Sequence, residues 1–430
     1  MTTTRRLSRS TTRQPRRVDS PSKPPTGPVT GSGSSITPTT IESPNLGPAD
    51  GSSGRFVEAE RERGGQPRTS TPHHSSTTVG GLDEDPLRTR AEQTLALYAP
   101  GAAAQPRAAQ RVLFWVGELH TALSTAASQP DLAKGAMHRD MRTAAFMLEA
   151  SLRLYRDKYG KPLDEARKDV KKLEDLLGAL GHAQDMQKAG VGCSELPAEA
   201  RAYLDRQVAK ETEKLLELLG SGWLPGAQGT VPVLDDVVET VLHTDWKKGD
   251  GDRKAIRKAL GRQLDEVAAG GLDMNELQEG LHELRRQLRW VPIYGMALKG
   301  AVVLDDTLLP EPRYAALRDD PVASSPFAAL PTSAQDKHPL RLSRTVFLRS
   351  TQLIDELGTI KDQGESIEGL AKALRKADVV EGLEASEQEA ARLLGLDPHA
   401  MDAVKARATL LYPEVRRVAE LFAADLRAQD

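Results

Sequence analysis

A single cysteine, Cys193, is all that the chain carries. That excludes an internal disulfide and suits a reducing compartment. No apolar run approaches the roughly 18 residues that would span a bilayer. The basic N-terminus leads into no apolar segment of the kind a secretory signal has. A cytoplasmic protein without a membrane partner is therefore expected. Excess positive charge is missing as well: the formal net charge is −3, which argues against a dedicated, specific nucleic-acid binder. Catalytic signatures are also lacking. His138-Arg139-Asp140 has Ala145 where a kinase loop needs Asn. His282-Glu283 has Arg286 where a zinc-protease helix needs its second histidine. Asp245–Asp252 lacks the glutamate that closes a calcium loop. With no P-loop, nucleophile elbow or paired-cysteine metal site either, no enzyme, cofactor or metal is expected.

Residues 1–86 are poor in large apolar side chains, with Phe56 the only aromatic among them. Such a segment buries too little surface to offset its ordering entropy, so a disordered Ser/Thr/Pro/Arg-rich tail is expected. Through Asp85 the chain holds 11 Lys+Arg and 9 Asp+Glu; of the totals of 58 and 61 this leaves 47 and 52, so the remainder sits near −5. Any basic site there has to be a local stripe on an acidic background.

From about Pro86 the pattern is helical, with Gly and Pro as punctuation. Helices are expected at Leu87–Tyr98, Arg107–Ala127, Asp131–Tyr159, Leu163–Ala189 and Pro197–Leu219. After a Gly/Pro-bearing connector, Trp223–Asp235, they are expected at Val237–Lys248, Asp252–Ala268 and Asn275–Val303, the last kinked or divided by Pro292. Residues 304–340 read as a long loop, followed by helices at Leu342–Lys361, Ile367–Lys376, Ser386–Leu394 and Pro413–Ala428. The only strand signal is the short WLPGAQGTVPVL stretch. The expected class is all-α.

Two stretches organise this pattern. Leu281–Trp290 reads LHELRRQLRW, and His282, Arg285, Arg286 and Arg289 at i, i+3, i+4 and i+7 place potential cations on one helical stripe. It is followed at Leu353 by LIDELGTIKD. A weaker copy precedes it, with Met141-Arg142 on the first helix and LLGALGHAQD on the second; aligning Leu180-Gly181 with Leu357-Gly358 puts Asp185 on Asp362. This is an internal duplication of a helical hairpin, and repeats of this kind decide a fold.

A helix with His-x-x-Arg and further cations, then a helix ending Leu-Gly-x-x-x-Asp, all duplicated, resembles the CHAD (conserved histidine α-helical domain) family over residues 87–430. The resemblance implies two pseudo-symmetric helical bundles, here about 87–222 and 236–430, with a basic groove between them. It also implies non-catalytic binding of inorganic polyphosphate and association with polyphosphate granules. Arginine suits such a ligand through its bidentate fork. The first copy departs from the family pattern, with Arg139 in the histidine's place and Phe146, Met147 and Glu149 where further cations are expected.

The expected polyphosphate contacts are His282, Arg285, Arg286 and Arg289 on one wall and Arg139, Arg142 and Arg153 on the other. A further row contributes Arg341 and Arg344 between Lys337 and Arg349. For each, the competing reading is a solvated charged face, with Glu279 and Glu283 as partners of the first row. Arg167, Lys168, Lys171 and Lys172 read as a salt-bridged outer face, and Asp185 and Asp362 as structural. The alternative function is a helical scaffold that kept the fold, lost the ligand and binds a protein through its groove or tail.

Overall fold

The first described helix is started by a cap and a proline. Asp85 accepts a hydrogen bond from the Arg88 N–H across 3.4 Å, with Pro86 in the first turn. The computed structural model describes residues 85–308, 311–325, 328, 330 and 336–429; of the expected disordered tail, residues 1–84 lie outside them, and Asp85 and Pro86 belong to the start of the first helix. In chain order come α1 (Pro86–Tyr98), α2 (Arg107–Ala127), α3 (Leu132–Ala136), α4 (Arg139–Tyr159), α5 (Lys161–Gly192), α6 (Ala198–Leu218), α7 (Pro232–His243), α8 (Asp250–Ala269) and α9 (Glu283–Ala297). Two short strands follow, β1 (Val302–Asp305) and β2 (Leu340–Ser343), then α10 (Arg344–Lys376), α11 (Leu383–Leu393) and α12 (Ala400–Arg427). The class is all-α, as the periodicity requires.

Several boundaries differ from the sequence reading, each for a local reason. The helix expected over Asp131–Tyr159 is two, because His138 adopts extended backbone and caps α4. Pro292 neither kinks α9 into two elements nor ends it; it is buried, and packing outweighs the one lost backbone bond. The helix stops at Ala297 instead of running to Val303, because Lys299 and Gly300 take φ of 47° and 85° and turn the chain. Beyond that turn Val302–Asp305 pairs in parallel with Leu340–Ser343, Val302 opposite Leu340. The expected loop 304–340 therefore begins and ends in strand and carries 3-10 turns at Pro312–Asp319 and Pro321–Ser324, while WLPGAQGTVPVL forms no strand. Gly364 does not interrupt α10, since it lies against Leu277 and Val404 where no side chain fits. Pro413 lies inside α12, which starts at Ala400.

Within the described residues the hydrophobic core is continuous from Ala91 to Leu426. α2 packs on α1, α4 and α7, while α12 packs on α8 and α10. At the centre, α4 packs on α5 and α9, and α10 packs on the same two helices. These four close on one another as a ring. α5 and α10 approach closely where Gly369 leaves room for Met186. No described helix is long and apolar enough to cross a membrane.

Candidate functional site

The helices of the ring bring three arginines together. Arg142 projects from α4, and Arg285 and Arg289, one helical turn apart, from α9. Arg285 lies across α10: its Nε donates to the Ile354 carbonyl at 3.1 Å, and a Cβ on Gly358 would stand 3.0 Å from its Nη2. Arg142 lies across α5 in the matching way, its guanidinium about 4.0 Å from where a Cβ on Gly178 or Gly181 would stand. Gly181 and Gly358 are the two glycines paired by the repeat alignment, so each hairpin lays one arginine over its own Leu-Gly pair. The Arg142 Nε is buried and meets no hydrogen-bond partner among the described residues. Both cations lie over one aromatic ring, with the Arg142 and Arg289 guanidiniums 5.8 and 5.9 Å from the ring centre of Phe146.

At this range the groups shift one another's ionisation. Burial pushes the Arg289 guanidinium down, and the charges of Arg285 and Arg142 push it further, to about 9. Burial likewise depresses Arg285; Asp362, Asp355 and Glu365 pull it back, while Arg142 opposes them. On the α5 side burial raises the Glu174 carboxyl, against the lowering effect of Lys171 and Arg142. The centre of the ring is thus a partly buried, mutually repelling cluster of cations with acids at its margin. Such a cluster is held together at a cost that an arriving anion would relieve.

No family model, no curated protein and no solved structure matches this chain.

The expected contacts divide by where their side chains lie. Arg142, Arg285 and Arg289 converge. Arg153 is close by on α4 but is stacked 4.4 Å over Trp290 and reaches Gln263 at 3.5 Å. His282 sits at the end of a π-helical turn before α9, its Nδ1 3.1 Å from Glu365 of α10. Arg286 does not join Arg285; one residue further on it is turned about 100° away and pairs at the surface with Glu283 at 2.6 Å. Arg139 is the exposed first residue of α4. Arg341 leaves β2 to bind Asp305 at 2.7 Å, and Arg344 faces Asp306 at 3.8 Å, so this row serves the strand pair. The Arg167 patch is only partly an outer face. Lys168 and Lys172 are exposed, but Arg167 reaches the buried Glu149 at 3.3 Å.

Two features escaped the sequence reading. One is Glu365 of α10, met by His282, Lys361 and His182. The other is Arg111 of α2, whose side chain has 0% exposure. It donates to the Leu298 carbonyl at 2.9 Å, to the Tyr155 hydroxyl at 2.9 Å and to Asp252 at 2.6 Å, and also contacts Asp336. A signal was present: Arg111 occupies a core position of the apolar stripe formed by Ala108, Val112 and Trp115.

Proposed function

We propose that this protein binds inorganic polyphosphate without catalysis, through the cation cluster enclosed by α4, α5, α9 and α10, as the CHAD resemblance implies. The observation that carries the reading is the meeting of Arg142 with Arg285 and Arg289: cations from both copies of the repeat come close enough to depress one another, with acids at their margin. A flexible polyanion answers that arrangement, since each phosphate offers oxygens to a guanidinium fork and each arginine can serve a different phosphate along the chain. His282 and Arg153 extend the cluster at its margins. The contribution of Arg286, Arg341 and Arg344 is to surface ion pairs, so the proposed contacts narrow to Arg142, Arg285, Arg289, His282 and Arg153. The direct test is titration with long-chain polyphosphate over a salt series, with neutral replacements at Arg142 and Arg289. Salt-sensitive binding lost in those variants supports the reading; binding they leave unchanged overturns it.

The scaffold reading is favoured by a different observation. Basic side chains elsewhere on the surface are already paired: Lys171 with Asp175 at 2.5 Å and Arg392 with Glu195 at 2.8 Å. A protein that does not bind polyphosphate at low salt while fully folded would be a scaffold for a protein partner.

A further inference from the structure

We propose that Glu365 is an internal counter-anion occupying an outer phosphate subsite formed by His182, His282 and Lys361, and that a polyphosphate chain displaces it. This rests on the polyphosphate reading and adds to it a residue that sets how strongly the chain is held. The subsite is drawn from three elements. α5 supplies His182, the turn before α9 supplies His282, and α10 supplies Lys361 and, one helical turn on, Glu365. The His282 Nδ1 lies 3.1 Å from one carboxylate oxygen of Glu365, while the Lys361 Nζ at 2.7 Å and the His182 Nδ1 at 3.7 Å address the other. Cationic or donor-capable groups spread over both oxygens of an oxyanion are what a phosphate group also requires.

The exposure runs the right way for exchange. The Glu365 side chain is 12% exposed, whereas the imidazoles of His282 and His182 are 42% and 51% exposed. A ligand therefore meets the imidazoles before it meets the acid they hold. Glu365 also acts on Arg285, which couples this outer group to the arginine cluster inside the ring. Asp362 lies beside the same lysine at 2.8 Å and remains to balance it when Glu365 yields. The seam does not depend on Glu365 alone, because Gln278 bonds Glu368 at 2.9 Å and Leu277 packs on Gly364.

The test compares the full chain with Glu365→Gln by titration with long-chain polyphosphate over a salt series, folding being followed by far-ultraviolet circular dichroism. The variant is expected to bind about tenfold more tightly, and its plot of log affinity against log salt to steepen by about 0.7 for each phosphate gained. A folded variant that binds as the parent does, or more weakly, overturns the proposal while leaving the polyphosphate reading in place. Failure of both proteins to bind overturns the polyphosphate reading and this inference with it. His182→Gln, at an exposed position, is a second arm: weaker binding is expected, and unchanged binding overturns the subsite even should Glu365→Gln not fold. Orthophosphate at the same total phosphate is expected to bind neither protein measurably; an equal response would overturn the link to a chain that spans both subsites.

Discussion

Replacing Arg111 with methionine keeps much of its length and apolar stem and removes its charge and its donors. In the native protein that guanidinium satisfies the Leu298 carbonyl, the Tyr155 hydroxyl and the carboxylates of Asp252 and Asp336 at once. Burial alone would lower its ionisation, yet Tyr155, Asp252 and Asp336 together hold it well above the usual arginine value. After substitution the Asp252 carboxylate, with 8% side-chain exposure, keeps the Tyr155 hydroxyl at 3.0 Å as its side-chain partner among the described residues. Removing one partner of a buried ion pair costs about 3–5 kcal/mol, and an unsatisfied buried carbonyl about 1–3 kcal/mol. Some relaxation toward water at Asp336 returns part of this, so a loss of about 4–5 kcal/mol is expected. That is a large share of the roughly 5–15 kcal/mol by which domains are stable. Urea unfolding followed by circular dichroism measures it. Combining Arg111→Met with Asp252→Asn should cost less than the sum of the two single changes, by about 1–3 kcal/mol. A loss below about 1 kcal/mol for Arg111→Met, or strict additivity in the double variant, would refute the argument that this node ties α2 and α4 to α8.

The repeat-matched glycines give a prediction of opposite signs. A Cβ on Gly181 would meet the Met137 methyl at 3.6 Å, an ordinary contact, so Gly181→Ala should stabilise the helix by about 0.5–1 kcal/mol in a thermal or urea melt. A Cβ on Gly358 would press the Arg285 guanidinium from 3.0 Å and break its bond to Ile354, so Gly358→Ala should destabilise by about 1 kcal/mol on balance. Equal effects at the two sites would count against the packing described. Glu365 supplies the acid-limb prediction. Burial would raise its carboxyl, but His282, Lys361 and His182 outweigh burial and hold it at about 2 against an ordinary 4.5. A depressed folded value means that its stabilisation is present above about pH 4.5 and is lost as pH falls toward 2. Glu365→Gln should therefore flatten the stability curve in that window by up to about 3 kcal/mol; a curve parallel to the parent's would contradict it.

The sequence made the helical class and most helix cores legible, because apolar residues at the 3.6-residue period mark a buried stripe wherever a helix packs. It misplaced elements where tertiary packing overrides local punctuation. Pro292, Pro413 and Gly364 look like breaks, yet each lies within a helix that its neighbours hold straight through. The strands Val302–Asp305 and Leu340–Ser343 are four residues each, too short to register as alternation and defined only by pairing across the loop between them. The site was half legible. Spacing put Arg285, Arg286 and Arg289 on one stripe, but only Arg285 and Arg289 turn into the ring while Arg286 pairs with Glu283 at the surface, since a stripe written as i, i+3, i+4 and i+7 is wider than the face that enters the ring. Arg142 emerged from the repeat alignment, but its position over Gly178 and Gly181 did not. Glu365 was invisible because its meaning comes from three separate elements that meet only in the fold.

The central claim is that cations from both repeat copies bind a polyanion in the ring. The measurement closest to it is titration of the full chain with long-chain polyphosphate between about 50 and 200 mM salt, alongside Arg142→Gln, Arg289→Gln and, as a surface control, Arg286→Gln. With three to five cations engaged, log affinity should fall against log salt with a slope of about −2 to −4. Arg142→Gln and Arg289→Gln should each flatten that slope and weaken binding at least tenfold, and Arg286→Gln should change neither. No binding at the lowest salt by a folded protein, or binding that Arg286→Gln weakens as much as Arg289→Gln does, would contradict the account.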